Sequence, residues 1–334
     1  MTVAELLSHM RRLDVDVRAE GDRLRLSAPS GVLTPEMREQ LMSRKWEILA
    51  FIRTAGSLAA PATTVVAVRS EGTRPPFFAV PGHNGDVFCY VHLARCLGRD
   101  QPFYALQPPG LDGARAPAET IEALAAHFVG ELRAFLPGGP YLLGGYCVGG
   151  AVAFETARQL REQGEDVRLL VLLGSPHPVA FRAYNRARAA PWELIERVGH
   201  QSRLLWRSPA RHGRHLIREL RQRAKSGVVD PLSRYSQNVE RATLAAIRVY
   251  SPRPFDGRIS LVLPSEKWAK SYDRPMDWRA QSGDGFDVVT GPRDCNGDVM
   301  LAEPHVRWLA GELRALLDRA QAGFDREASL GVSG

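Results

Sequence analysis

Cysteine is scarce in this chain of 334 residues. Its four cysteines, Cys89, Cys96, Cys147 and Cys295, are scattered, with no C-x-x-C pair and no metal-ligand spacing. That excludes a disulfide scaffold and argues for a reduced, cytoplasmic protein. The N-terminal stretch MTVAELLSHMRRLDVDV lacks the apolar core of about 7–15 residues that a secretory signal requires. No run of roughly 18 apolar residues occurs, so no membrane span and no membrane partner are expected. A wholly disordered region is also lacking. With 44% hydrophobic and 24% charged residues, the composition suits one sizeable core with a small second unit.

Charge is present but uneven. The whole chain carries +7, whereas residues 182–225 hold eleven arginines and Lys225 against Glu193, Glu196 and Glu219, a local +9. Such a segment attracts polyanions. No nucleic-acid recognition motif or interleaved aromatics accompany it, so nucleic acid is not the expected partner. An acidic protein or a phosphate-bearing cofactor arm fits it, as does a solvated arginine-rich helix pair.

Residues 1–54 read as a separate α-β-β-α module. Glu5–Leu13 is a short helix with Leu6, Leu7 and Met10 on one face. DVDVRAEGDRLRLSAPSG alternates, placing Val15, Val17, Leu24 and Leu26 on one side of a hairpin that turns at Glu20-Gly21-Asp22. A second helix follows in LTPEMREQLMSRKWEILAFIR, capped by Thr34 with Pro35 at its first position. Residues 55–74 are a small-residue linker and an entry strand. From Val65 onward strands and helices alternate, which argues a parallel sheet covered on both faces. Residues 180–248 interrupt this as an all-helical stretch, a lid by position. HVRWLAGELRALLDRA closes the fold near residue 321, and 322–334 read as a flexible tail.

The chemistry centres on GGYCVGG (144–150). In a G-x-C-x-G turn a nucleophile sits between a strand and a helix, and the small residues let chain segments approach closely. Cys147 is the candidate nucleophile, and Gly145, Gly149 and Gly150 form the elbow. The helix starting at Val148 points its N-terminus at the thiol, which is expected to lower its pKa and to supply one oxyanion donor, the Val148 amide. VPGHNGD (80–86) follows an earlier strand, so the His83 or Asn84 amide is the second candidate donor.

Two resemblances follow from these stretches. LLSHMRRLDVDVRAEGDRLRLSAPSGVLTPEMREQLMSRKWEILAFIR resembles the tubulysin-type N-terminal docking domain of nonribosomal peptide synthetase proteins. The resemblance implies that its hairpin takes up a terminal segment of an upstream synthetase by β-augmentation. PFFAVPGHNGDVFCYVHLARCLGRDQPFYALQPPGLDG, GPYLLGGYCVGGAVAFETARQL and MLAEPHVRWLAGEL resemble the thioesterase domain of nonribosomal peptide and polyketide synthases. That resemblance, over 75–321, implies an α/β-hydrolase fold with a helical lid. It also implies acyl groups delivered on the phosphopantetheine of a carrier protein, with no cofactor bound by the domain itself.

Against the family pattern, cysteine stands for the serine nucleophile, Gly174 occupies the acid position and Gly297 the histidine position. His83, His177 and His305 are candidate replacement bases. Cys295 is a candidate second thiol, Asp294, Asn296 and Asp298 crowd the histidine loop, and Asp273 or Asp277 is a candidate late acid. A thiol ionises partly without a base, and thiol–thioester exchange is nearly isoenergetic, whereas hydrolysis needs an activated water. The leading expectation is therefore a trans-acting acyltransferase that loads Cys147 and passes the acyl group to a thiol, amine or other nucleophile. A release thioesterase with a non-standard base and a non-catalytic docking protein are the alternatives.

Overall fold

A computed structural model describes residues 15–28, 32–57, 64–111, 115–179, 231–270 and 278–331, together with Val3, Leu6, Leu7, Met10 and Leu13. Most of the expected lid, the basic segment 182–225, and Asp273 and Asp277 lie outside the described residues.

The N-terminal module is built as its alternation requires. Strands β1 (Asp16–Glu20) and β2 (Arg23–Ser27) pair antiparallel about a Gly21-Asp22 turn in which Gly21 has φ +51°. Val17, Leu24 and Leu26 face a small core of Val3, Leu6, Leu7, Met10, Val15, Leu41 and Ile48. The expected single second helix is two. Helix α1 (Pro35–Ser43) is capped by the Thr34 hydroxyl, which accepts from the Met37 amide at 3.2 Å, and it stops at Arg44. Helix α2 (Lys45–Ser57) continues the chain.

The larger unit is a seven-stranded sheet. Its strands are β3 (Val65–Arg69), β4 (Phe77–Val80), β5 (Phe103–Leu106), β6 (Tyr141–Tyr146), β7 (Val167–Leu173), β8 (Ile259–Leu263) and β9 (Phe286–Thr290). They lie in the order β3-β5-β4-β6-β7-β8-β9, with β3 antiparallel to β5 and all other pairs parallel. The connecting helices are α3 (Val91–Cys96), α4 (Ile121–Phe135), α5 (Val148–Glu162), α6 (Pro231–Val249), α7 (Glu266–Lys270) and α8 (His305–Gly331). Burial on both faces explains why the central strands read as continuous apolar runs such as LLVLL in β7.

Two core layers flank the sheet. One joins α4, α5 and the end of α6 through Phe128, Phe154, Ile247 and Trp278. The other joins α3 and α8 through Tyr90, Leu93, Leu309 and Leu313. Helix α8 runs on to Gly331, so residues 322–331, expected as tail, are helical. Once a helix is nucleated and packed, each further residue adds one backbone hydrogen bond at little cost.

Candidate active site

The central strand β6 carries the site. Where β6 ends, Cys147 adopts φ 53°, ψ −124°, and is the one non-glycine residue with positive φ among the described residues. A non-glycine residue in such a conformation is costly and persists only where its surroundings hold it. Three close approaches do so here. A Cβ on Gly145 would lie 2.2 Å from the Gly149 carbonyl oxygen. One on Gly149 would lie 2.1 Å from that of Pro81, and one on Gly150 would lie 2.1 Å from the Ser175 hydroxyl. The Cys147 amide donates to Leu173 at 3.0 Å, and the Ser175 hydroxyl donates to the Cys147 carbonyl at 2.6 Å. Ser175 is itself tied down, its carbonyl accepting from the Trp278 indole at 3.1 Å. Ser175 escaped the sequence reading, because a serine after a strand gives no signal until the turn it supports is known.

The thiol is half-buried at the head of α5. Burial pushes its pKa up to about 11; the Val148 amide acts in the opposite direction by hydrogen-bonding the sulfur, and the Asp298 carboxylate adds to the rise. The direction is opposite to the lowering expected at a helix N-terminus, because desolvation of the thiolate outweighs the one amide. At neutral pH the resting group is the thiol.

The loop after β4 meets the elbow directly. Val80 and Pro81 lie against Gly149, and Gly82 lies beside the Tyr146 ring. Asn84 turns the loop by accepting the Asp86 amide at 3.2 Å through its side chain. No hydrogen bond to a described residue is made by the His83 or Asn84 amide. The His83 imidazole pairs with Glu240 of α6 at 3.4 Å.

The two glycines that the resemblance places at the acid and base positions are closely packed. Gly174 has φ +51°, and a Cβ there would lie 2.8 Å from the Met300 sulfur. A Cβ on Gly297 would come within 3.1 Å of the Trp268 ring, and the Gly297 carbonyl accepts a short hydrogen bond from the Tyr146 hydroxyl. Burial raises the Tyr146 pKa, so that group is a neutral donor bridging elbow and histidine loop. Neither Tyr146 nor Trp268 was read as a site residue.

The other candidates are engaged elsewhere. His177 stands edge-on to Trp278 at 4.8 Å, and its Nδ1 accepts from the Val179 amide at 3.3 Å. His305 Nε2 lies 3.8 Å from Asp294. Asn296 caps its own loop by accepting from the Asp298 and Val299 amides. Cys295 is buried in the α3–α8 core layer with its sulfur toward the Asn296 carbonyl at 3.7 Å, whereas Cys147 packs on the opposite layer. The second-thiol expectation thus gains no contact. Burial raises the Cys295 pKa to about 11 as well.

A strained turn at the end of the central strand, followed by a buried helix, is the elbow of an α/β-hydrolase-like fold. The chain belongs to the thioesterase domain family, which matches residues 75–295, and the TubC N-terminal docking domain matches residues 3–53. The nonribosomal peptide synthetase apvA of Aspergillus terreus is 37% identical over 118 residues, 35% of this chain and 13% of that protein. The non-reducing polyketide synthase PKS16 of Cladonia grayi is 27% identical over 244 residues, 73% of this chain and 10% of that protein. The chain thus spans a small part of the curated relatives it matches. Among solved structures, the NocB thioesterase domain from the nocardicin cluster aligns with TM-score 0.53 and 25% identity over 77% of this chain and 100% of that one. A holo four-domain nonribosomal peptide synthetase bound to AMP and glycine aligns with TM-score 0.59 and 24% identity, covering 81% of this chain and 22% of that one.

Proposed function

We propose that this chain is a trans-acting acyltransferase of a nonribosomal peptide or polyketide assembly line, with Cys147 as its nucleophile. The observation that carries the reading is the strained, closely packed elbow at Cys147; glycine at positions 174 and 297, where the resemblance puts the family's acid and base, supports it. The Cys147 sulfur attacks the thioester carbonyl of an acyl-phosphopantetheine on a carrier protein. A new carbon–sulfur bond forms, the pantetheine sulfur leaves, and it takes up the proton that Cys147 gives up. The tetrahedral oxyanion is held by the Val148 amide and by the His83 or Asn84 amide. A second thiol or an amine then attacks the acyl-enzyme and regenerates the Cys147 thiol.

Water is a poor second nucleophile here because it needs a general base. The position next to the elbow where the family places one is occupied by Gly297, packed against Trp268. The domain binds no cofactor of its own in this reading. An acidic carrier suits the basic segment 182–225, the N-terminal module receives an upstream synthetase, and the setting is cytoplasmic. The His83–Glu240 pair favours a second reading, a release thioesterase in which Glu240 orients His83 as base. Incubation with an acyl-pantetheine thioester separates the two. The first predicts a lasting acyl adduct that an added thiol or amine discharges, and the second predicts steady release of free acid that His83→Ala abolishes.

A further inference from the structure

The N-terminal module is seated on the segment that carries the oxyanion loop. Phe51 of α2 stands edge-on to Phe88 at 5.3 Å, and Phe88 also packs on the module's own core. The Arg95 guanidinium of α3 lies 3.8 Å over the Trp46 ring. Glu47 faces His92 at 3.8 Å. At the centre of this contact is Asp86, the last residue of the oxyanion loop.

The Asp86 carboxylate is shared between the two units. One oxygen caps the short 3-10 turn Val87–Tyr90 by accepting the Phe88 amide at 3.1 Å. The other accepts the Val3 amide at 3.4 Å and faces the Arg44 guanidinium at 3.8 Å. Arg44 is the residue at which the second helix of the module breaks, and Glu47 holds it at 2.6 Å. The Asp86 amide is bound by the Asn84 side chain. At the far end of the 3-10 turn the Tyr90 hydroxyl donates to the Val80 carbonyl at 2.6 Å. Residues 80–86 are therefore pinned at one end on Gly149 and Tyr90 and at the other on a carboxylate that the module holds.

We propose that Asp86 is a positioning residue through which the N-terminal module, by Arg44 and the Val3 amide, sets the oxyanion loop beside Cys147. The seated module is then part of the active-site framework, and acyl transfer depends on it. The kinetic consequence rests on the acyl-transfer reading; the structural coupling does not.

The experiment uses the full chain with Arg44→Met, which keeps the aliphatic stem, and Asp86→Asn, which keeps an acceptor for the Phe88 amide. Hydrogen exchange is followed in peptides covering residues 80–90. Loss of the Arg44–Asp86 ion pair, or of the Asp86 charge, is expected to speed exchange of the hydrogen-bonded Gly85 and Asp86 amides by about tenfold, with β6 and β7 unchanged. In parallel, acylation of Cys147 by an acyl-pantetheine thioester should slow by a similar factor. Alkylation of Cys147 by iodoacetamide, which forms no oxyanion, should keep its rate. Exchange of the Gly85 and Asp86 amides within twofold of the parent in both variants overturns the coupling. Faster exchange with unchanged acylation overturns the positioning role. A parent chain that no thioester acylates overturns the acyl-transfer reading instead, and the exchange result still decides the coupling.

Discussion

Gly149→Ala tests the elbow at the point where it meets the loop after β4, the proposed source of the second oxyanion donor. The new methyl carbon would lie 2.1 Å from the Pro81 carbonyl oxygen and 2.5 Å from that of Val80. A carbon–oxygen contact tolerates about 3.3 Å, so backbone must move by roughly 1 Å. Both obstacles are main-chain atoms, and no side chain can swing aside. Overpacking of this kind costs about 1–3 kcal/mol of stability. The larger effect is on chemistry, because the displaced segment leads into His83 and Asn84. A shift of about 1 Å in a positioned group costs roughly 100-fold in rate, and loss of one oxyanion donor costs about 100–1,000-fold. Thermal unfolding and intact-mass kinetics of acylation measure the two effects, with iodoacetamide alkylation as the reaction that needs no oxyanion donor. Gly130→Ala in α4 is the matched control. Its Cβ would meet nothing within 4 Å, and it should stabilise the helix by about 0.5–1 kcal/mol. Wild-type acylation and melting in Gly149→Ala would refute the reasoning.

Burial raises the Cys147 pKa to about 11, so the reactive thiolate grows with pH below that value. The alkylation rate at Cys147, followed by peptide mapping, should climb about tenfold per pH unit from neutrality toward pH ~10; a plateau below pH ~8 would show that a base or cation lowers the thiol pKa. Gly297→His should not by itself give rapid hydrolysis, because its Cβ would already lie 3.1 Å from the Trp268 ring. Free acid measured by chromatography should rise only when Trp268→Ala accompanies it, and fast hydrolysis by the single variant would contradict the packing argument. Tyr250→Phe removes the hydroxyl that donates to the buried Glu155 at 2.8 Å and ties the end of α6 to α5. A loss of about 1–2 kcal/mol is expected in chemical denaturation, and an unchanged midpoint would mean that this tie contributes nothing.

The elbow was legible because close backbone approach leaves a glycine signature: Gly145, Gly149 and Gly150 each face atoms that a Cβ would strike. The hairpin β1–β2 was legible because alternation at period two admits one pleated reading. The Thr34 cap followed from its place before Pro35. The break at Arg44 was not legible. The apolar stripe runs through it, and Arg44, where the helix breaks, faces Asp86 at 3.8 Å, a residue far along the chain. The thiol pKa differs in direction from the helix-end expectation for a similar cause. A helix end is visible in sequence, but the desolvation that opposes it depends on distant segments that cover the sulfur. Ser175, Tyr146 and Trp268 are ordinary residues in sequence and acquire roles only from what the fold sets against them.

Intact-protein mass spectrometry after mixing the chain with an acyl-pantetheine thioester tests the central claim most directly, with Cys147→Ala alongside. The account predicts a single, lasting acyl adduct on the parent chain, none on the variant, and discharge on adding a thiol or amine. An adduct that survives Cys147→Ala, or no adduct and no consumption of thioester across several acyl groups, would contradict it.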